Sequence, residues 1–258
     1  MTSAGRPGDV MLVVADGVAT VRIHNPPLNI LTIAVREKLF AVVGEIERRQ
    51  DVRVVVFEGE GRRAFSVGSD IGEFPRTELG GVAKIRFEQY LLDRIENLPQ
   101  VTIAKMSGMA LGGGAELALA CDFRLLDLKG SLGFPEISLG ALPAAGGMKR
   151  LAREIGSARA RQLVLLGRPL DAPTAASWGL VTAAVPSDDL DDATRQLAQS
   201  LCRLPREALA LAKKTIAASS PGGEMDTREA EAFGRLFRSL DLAEGLAAFI
   251  EKRPPAFA

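Results

Sequence analysis

Apolar positions along the chain change their spacing from segment to segment. "MLVVA" and "VATVRIH" are aliphatic runs on either side of Asp16-Gly17, and a two-residue Asp-Gly link between such runs predicts a hairpin. The stretch "PPLNIL" that follows has no period. Over residues 33–50 the spacing turns helical: Val35, Leu39, Phe40, Val42, Val43 and Ile46 form one stripe, which predicts an amphipathic helix. "VRVVVFEG" (52–59) is apolar almost without a break, as in a strand buried on both faces. A polar, glycine-bearing loop over 60–72 leads to a predicted helix near 82–97, stopped before Pro99. "VTIAKM" reads as the next strand and runs into three consecutive glycines and a further helix, after which "DFRLLD" reads as a strand again.

Strand and helix in alternation predict an α/β fold with a largely parallel sheet and crossover helices. No internal repeat is visible. From about residue 188 only helical spacing remains, which divides the chain into an α/β core over 1–187 and a helical C-terminal subdomain over 188–258. In that part Asp226 with Glu229, and Asp241 with Glu244, match capping boxes with aspartate at the cap. Behind them run two apolar stripes: Ala230, Phe233, Phe237 and Leu240, then Leu246, Phe249 and Ile250. Such stripes suit either packing on the sheet or contact with another subunit.

Composition narrows the classes. At 258 residues, 47% apolar and 25% charged, the chain is long enough for one large core, with or without a small appendage. Lys plus Arg and Asp plus Glu balance at 32 each, so no net field draws it to nucleic acid or to an anionic membrane. Cys121 and Cys202 stand far apart with no CxxC pair, which argues against a disulfide framework or a zinc site and suits a reducing compartment. No apolar run approaches membrane-spanning length and "MTSAGRPGDV" has no signal-peptide core, so a cytoplasmic protein is expected. The single histidine, His24, lies beside "NPP" and reads as a strand-end residue. GxSxG, HExxH, GxxxxGK[ST] and GxGxxG are all absent. What remains for chemistry is carboxylates and glycine-rich backbone.

Three segments carry that combination. In "LGGGAELALACD" (111–122), Gly112, Gly113 and Gly114 precede a helix whose first turn holds Glu116. Amides at a helix start are unpaired and electropositive, so bare glycines there suit half of an oxyanion hole; the alternative is a tight turn or close backbone packing. "AFSVGSDI" (64–71) places Gly68 and Ser69 after a predicted strand, where α/β sheets bind ligands; alone it reads equally as a loop with Asp70 as a helix cap. "GFPEISLGALPAAGGMKRL" carries Glu136 just after Pro135.

Together these segments resemble the signatures of the crotonase (enoyl-CoA hydratase/isomerase) superfamily. The resemblance extends through "NPPLNIL", "GRPLDAPTAASWGLV" and "EGLAAFIEKRPPAF", in the family's order and over nearly the whole chain. It implies a crotonase-like spiral of ββα units with a helical C-terminal subdomain, forming trimers or pairs of trimers. It also implies an oxyanion hole made by the amides of Ser69 and Gly113, which polarises an acyl-CoA thioester carbonyl, with Glu116 and Glu136 as the acid–base pair. Both glutamates are kept, which selects hydration of an enoyl-CoA or dienoyl-CoA thioester. Double-bond isomerisation, thioester hydrolysis and a non-catalytic acyl-CoA-binding role are the alternatives. Phe134 stands where hydratases often have glutamine, and Ala144 where a glycine is common, so Phe134 is expected to narrow the acyl pocket. For CoA the resemblance points to Leu28, to the backbone of Ser69, Asp70, Ile71 and Gly72, and to Phe249 and Lys252 on the last helix, often for a neighbouring subunit's ligand. Without the resemblance Lys252 reads as a solvated helix-end lysine. No cofactor beyond the CoA carried by the substrate, and no metal, is expected.

Overall fold

The computed structural model describes residues 6–218 and 227–257. Strands β1 (Asp9–Ala15) and β2 (Val18–His24) form the expected hairpin, with Ala15 opposite Val18. Asp16 and Gly17 both take positive φ, the conformation that a two-residue turn matched to strand twist requires. Helix α1 (Ile33–Arg48) starts at Thr32, whose hydroxyl accepts from the Val35 amide at 3.2 Å.

The chain then runs through β3 (Val54–Gly59), β4 (Ala64–Ser66), α2 (Glu78–Glu96), β5 (Val101–Met106), β6 (Met109–Leu111), α3 (Gly113–Leu119), β7 (Phe123–Asp127), β8 (Ser131–Gly133) and α4 (Gly147–Leu166). Next come β9 (Leu170–Asp171), α5 (Ala172–Ser177) and β10 (Ala183–Val185). Two sheets result. One is six-stranded in the order β1-β2-β3-β5-β7-β10, parallel except for the edge strand β1; the other is four-stranded, β4-β6-β8-β9, parallel except for β9.

A repeat therefore exists that the sequence hides. β3-β4-α2, β5-β6-α3 and β7-β8-α4 are successive ββα units, each placing its first strand in the large sheet and its second in the small one. The second strands are three residues long, too short to display a two-residue period.

Burial explains the unbroken apolar character of "VRVVVFEG". Val55 and Phe57 point into the main core, with Val35, Leu39 and Ile46 of α1, while Val54 and Val56 point to the opposite face. Each such side chain contributes roughly 1.5–3 kcal/mol on burial. That opposite face is covered by α6 (Leu190–Cys202), through Ala198 and Leu201.

The helical C-terminal part is not one packing unit. α6 and the following α7 (Arg206–Ala218) lie against the large sheet, whereas α8 (Thr227–Leu236) and α9 (Leu240–Glu251) do not. A change of secondary structure falls near residue 188, but the core continues past it.

Two further expectations change. Helix α2 begins at Glu78 rather than near 82, because the Thr77 side chain caps the Gly80 amide and carries the helix through Gly80 and Gly81. The cap of α9 is Ser239, which accepts from the Asp241 amide at 3.2 Å; Glu244 instead pairs with Arg253 at 2.6 Å. Asp226 lies outside the described residues. Among the described residues no helix is long and apolar enough to cross a membrane.

Candidate active site

The three segments singled out above leave the small sheet side by side. Ser69 follows β4 by three residues, Gly113 follows β6 by two, and Glu136 follows β8 by three. Because β4, β6 and β8 are parallel neighbours, all three positions gather at one edge, at the carboxyl ends of the strands.

The backbone is drawn tight there. Gly68 has φ +91°, and a β-carbon on it would lie 2.7 Å from the Gly113 amide nitrogen, so only glycine fits. A β-carbon on Gly113 would be 3.7 Å from the Ser69 amide nitrogen, which brings the two amides together. Gly113 is the first residue of α3, whose opening amides have no intrahelical acceptor. Neither amide donates to a protein acceptor among the described residues. A developing negative oxygen placed between such donors is stabilised.

The three glycines turn out to have different reasons. Gly112 takes φ +53° and a β-carbon there would come within 3.0 Å of Glu136 Oε1. Gly113 presents its amide. Gly114 is a packing requirement, since its β-carbon would strike the Ser66 carbonyl oxygen at 2.2 Å.

Glu116 is 3% exposed and accepts a 2.9 Å hydrogen bond from the Gly147 amide at the start of α4. Burial pushes its carboxyl up to about 8; the charges of Glu136 and Glu88 push the same way, against the pull of the Gly147 and Ala145 amides. Glu136 sits on the 3-10 turn Pro135–Leu139 and is also raised by burial. Its Oε2 is buried without a hydrogen-bond partner. An orphaned carboxylate oxygen next to the glycine turn is a place for a polar partner.

Two charged residues at the site were not expected from sequence. Arg36 of α1 and Glu88 of α2 are 5% and 4% exposed and, with Gly113, Glu116 and Ala145, line a small cavity otherwise walled by leucines. The signal was available: Arg36 lies three residues before Leu39, and Glu88 three before Leu91, inside apolar stripes where a charge is anomalous.

The other expected positions divide. Leu28 is half-buried and its carbonyl accepts from the Val67 amide at 3.1 Å, next to the loop of Ser69. Asp70 caps a 3-10 turn over Ile71–Glu73 through the Gly72 amide at 2.8 Å, leaving Ile71 largely exposed. Phe134, just after β8, is wholly buried in the main core. Ala144 gives its carbonyl to the Gln89 side chain at 2.8 Å, and Ala145 rather than Ala144 borders the cavity. Phe249 and Lys252 are exposed, and α9 packs closely against none of the elements that build the site within this chain. His24 closes β2 with Nδ1 3.5 Å from Glu60.

A spiral of ββα units whose small-sheet strand ends carry paired amides and buried carboxyls is the crotonase fold. The chain belongs to the enoyl-CoA hydratase/isomerase family, whose model matches residues 14–258. It is 36% identical over 254 residues to a Bacillus subtilis (strain 168) protein named "Probable enoyl-CoA hydratase", covering 96% of this chain and 98% of the relative. It is 34% identical over 243 residues to the short-chain-enoyl-CoA hydratase of Clostridium acetobutylicum, covering 92% of each. The crystal structure of an enoyl-CoA hydratase from Bacillus anthracis superposes with a TM-score of 0.90 at 34% identity, covering 96% of this chain and 98% of that one.

Proposed function

We propose that this protein adds water across the 2,3-double bond of an enoyl-CoA or dienoyl-CoA thioester. The observation that carries this reading is the unpartnered, buried Glu136 oxygen beside the turn whose helix presents Glu116. Two carboxyls held in one partly desolvated site are both shifted upward by burial, which suits one to act as acid while the other acts as base.

In that state one carboxylate takes a proton from water as the oxygen bonds to the β-carbon. The other carboxyl gives its proton to the α-carbon, so H and OH are added and one proton stays on the pair. The electron pair of the double bond passes through an enolate whose oxygen the amides of Ser69 and Gly113 hold. Coenzyme A enters and leaves with the substrate. The exposed residues of α9, Phe249 and Lys252 among them, serve a neighbouring copy in a trimer or pair of trimers.

The test follows labelled water oxygen into product for the parent, Glu116→Gln and Glu136→Gln. Each substitution is expected to lower hydration by ~10²–10⁴-fold while leaving thioester binding nearly unchanged. A shifted double bond without labelled oxygen, dependent on one glutamate alone, would replace this reading with isomerisation. No turnover in the parent with tight thioester binding would make the protein a binder.

A further inference from the structure

A buried cation stands behind the Ser69 loop, and the water-adding chemistry proposed above makes no use of it. The Arg36 guanidinium reaches three separate segments. Nη1 donates to the Leu31 carbonyl ahead of α1. Nη2 donates to Ser69 Oγ at 2.8 Å. Nε faces Glu88 Oε1 of α2 at 3.2 Å. Glu88 is paired in turn with Lys84, whose Nζ also approaches Ser69 Oγ at 3.5 Å and lies 5.0 Å over the Phe74 ring.

Burying an arginine and a glutamate is costly, and a well-packed apolar pair of similar volume is often as stable. Stability alone therefore does not explain them. A planar fork of donors does something that leucine cannot: it fixes the relative positions of the groups that accept from it. One of those groups is the side chain of Ser69, and Nη2 also lies 3.2 Å from where a β-carbon of Gly113 would stand. The guanidinium thus binds the Ser69 side chain and lies close to Gly113.

We infer that Arg36, held by Glu88, is a positioning residue that sets the Ser69 amide at its working distance from the Gly113 amide by gripping the Ser69 hydroxyl. The inference rests on the oxyanion reading of those amides. Arg36 also has a second, electrostatic consequence. The charged groups facing Glu116 are Arg36 on α1, Glu88 on α2 and Glu136 on the turn after β8, while α4 contributes the neutral Gly147 amide. Removing the cation raises the Glu116 carboxyl further, and removing the Glu88 charge lowers it.

The experiment compares the parent with Arg36→Met, Arg36→Lys, Ser69→Ala, Glu88→Gln and the Arg36→Met/Ser69→Ala double variant. Two readouts are used: kcat and KM for hydration across pH, and the carbonyl stretch of bound ¹³C-labelled butanoyl-CoA, a saturated thioester that cannot be hydrated. Arg36→Met is expected to lower kcat by about 10²-fold, the usual consequence of a small displacement in a catalytic constellation, with KM little changed and the carbonyl downshift reduced. Arg36→Lys fails to restore the downshift, because a point charge cannot serve three acceptors. The double variant is no worse than the poorer single one, since both break the same link. The pH limb set by the glutamates moves up in Arg36→Met and down in Glu88→Gln.

A folded Arg36→Met with the full downshift, or losses that multiply with those of Ser69→Ala, overturns the inference. If Arg36→Met does not fold, Ser69→Ala decides: a lost downshift supports the link and an unchanged one overturns it. A parent that polarises the carbonyl without adding water sinks the hydratase reading and leaves this one standing; a parent that does not polarise it sinks both.

Discussion

The Gly147 amide donates to Glu116 Oε1 at 2.9 Å, and it can do so only because Gly147 has no side chain. A β-carbon there would lie 2.6 Å from that oxygen and 2.8 Å from Cγ. Gly147→Ala is accordingly expected to displace the carboxyl, lower hydration strongly and cost about 1–3 kcal/mol of stability, as overpacked cores do. Thermal unfolding with steady-state kinetics on the same preparation checks this; a variant with parental activity would mean the Glu116 carboxyl moves freely.

The same buried carboxyl makes stability depend on pH. Burial raises the Glu116 carboxyl from its ordinary value of 4.5 to about 8 in the fold. Between those values the folded state holds more protons than the unfolded one, so stability falls as pH rises through this window and levels off above it. Glu116→Gln removes the slope. Its stability advantage over the parent is expected to grow from about pH 5 to about pH 9, reaching on the order of 3–5 kcal/mol from a shift of that size, with Tm rising in step. Calorimetry at several pH values checks it; parallel curves would mean the carboxyl stays ionised inside the fold.

Gly68→Ala and Gly113→Pro attack the paired amides from opposite sides. The first forces a side chain into φ +91° and against the Gly113 amide; the second deletes a donor. Each is expected to lower kcat by ~10²–10³-fold in protein that circular dichroism shows to be folded. Near-normal turnover in either variant would return these glycines to a purely structural role.

The outer helices predict assembly. Leu240, Phe249 and Ile250 on α9 are 84%, 85% and 78% exposed, and Phe233 of α8 stacks edge to face with Phe237 just beyond its end. Light scattering is expected to give a multiple of 27.4 kDa consistent with three or six chains, and Leu240→Glu with Ile250→Glu to reduce it. A parent that stays monomeric at micromolar concentration contradicts this and removes any shared CoA site at Lys252.

Long elements were legible in the sequence because each buries a periodic face: the Asp16-Gly17 hairpin, the stripe of α1 and the two-sided strand β3 all appear where the spacing places them. Glu116, Glu136 and the Ser69 and Gly113 amides were legible through motif resemblance, and they converge. What escaped lies below the resolution of periodicity. Strands of two or three residues carry no period, so the small sheet and its repeat were invisible. Ser239, two residues earlier, caps α9 in place of Asp241, a shift that spacing does not encode. Arg36 and Glu88 stand inside apolar stripes, but spacing alone does not show which partners bury them.

The two sheets divide labour in a way that matters for how such a protein can change. Hydrophobic burial is concentrated on the six-stranded sheet, while Ser69, Gly113 and Glu136 hang from successive strand ends of the four-stranded one. Each of these positions therefore belongs to a different turn of the same spiral. New chemistry can be tried at one address at a time, with the other two still in register and the molecule's main source of cohesion left untouched.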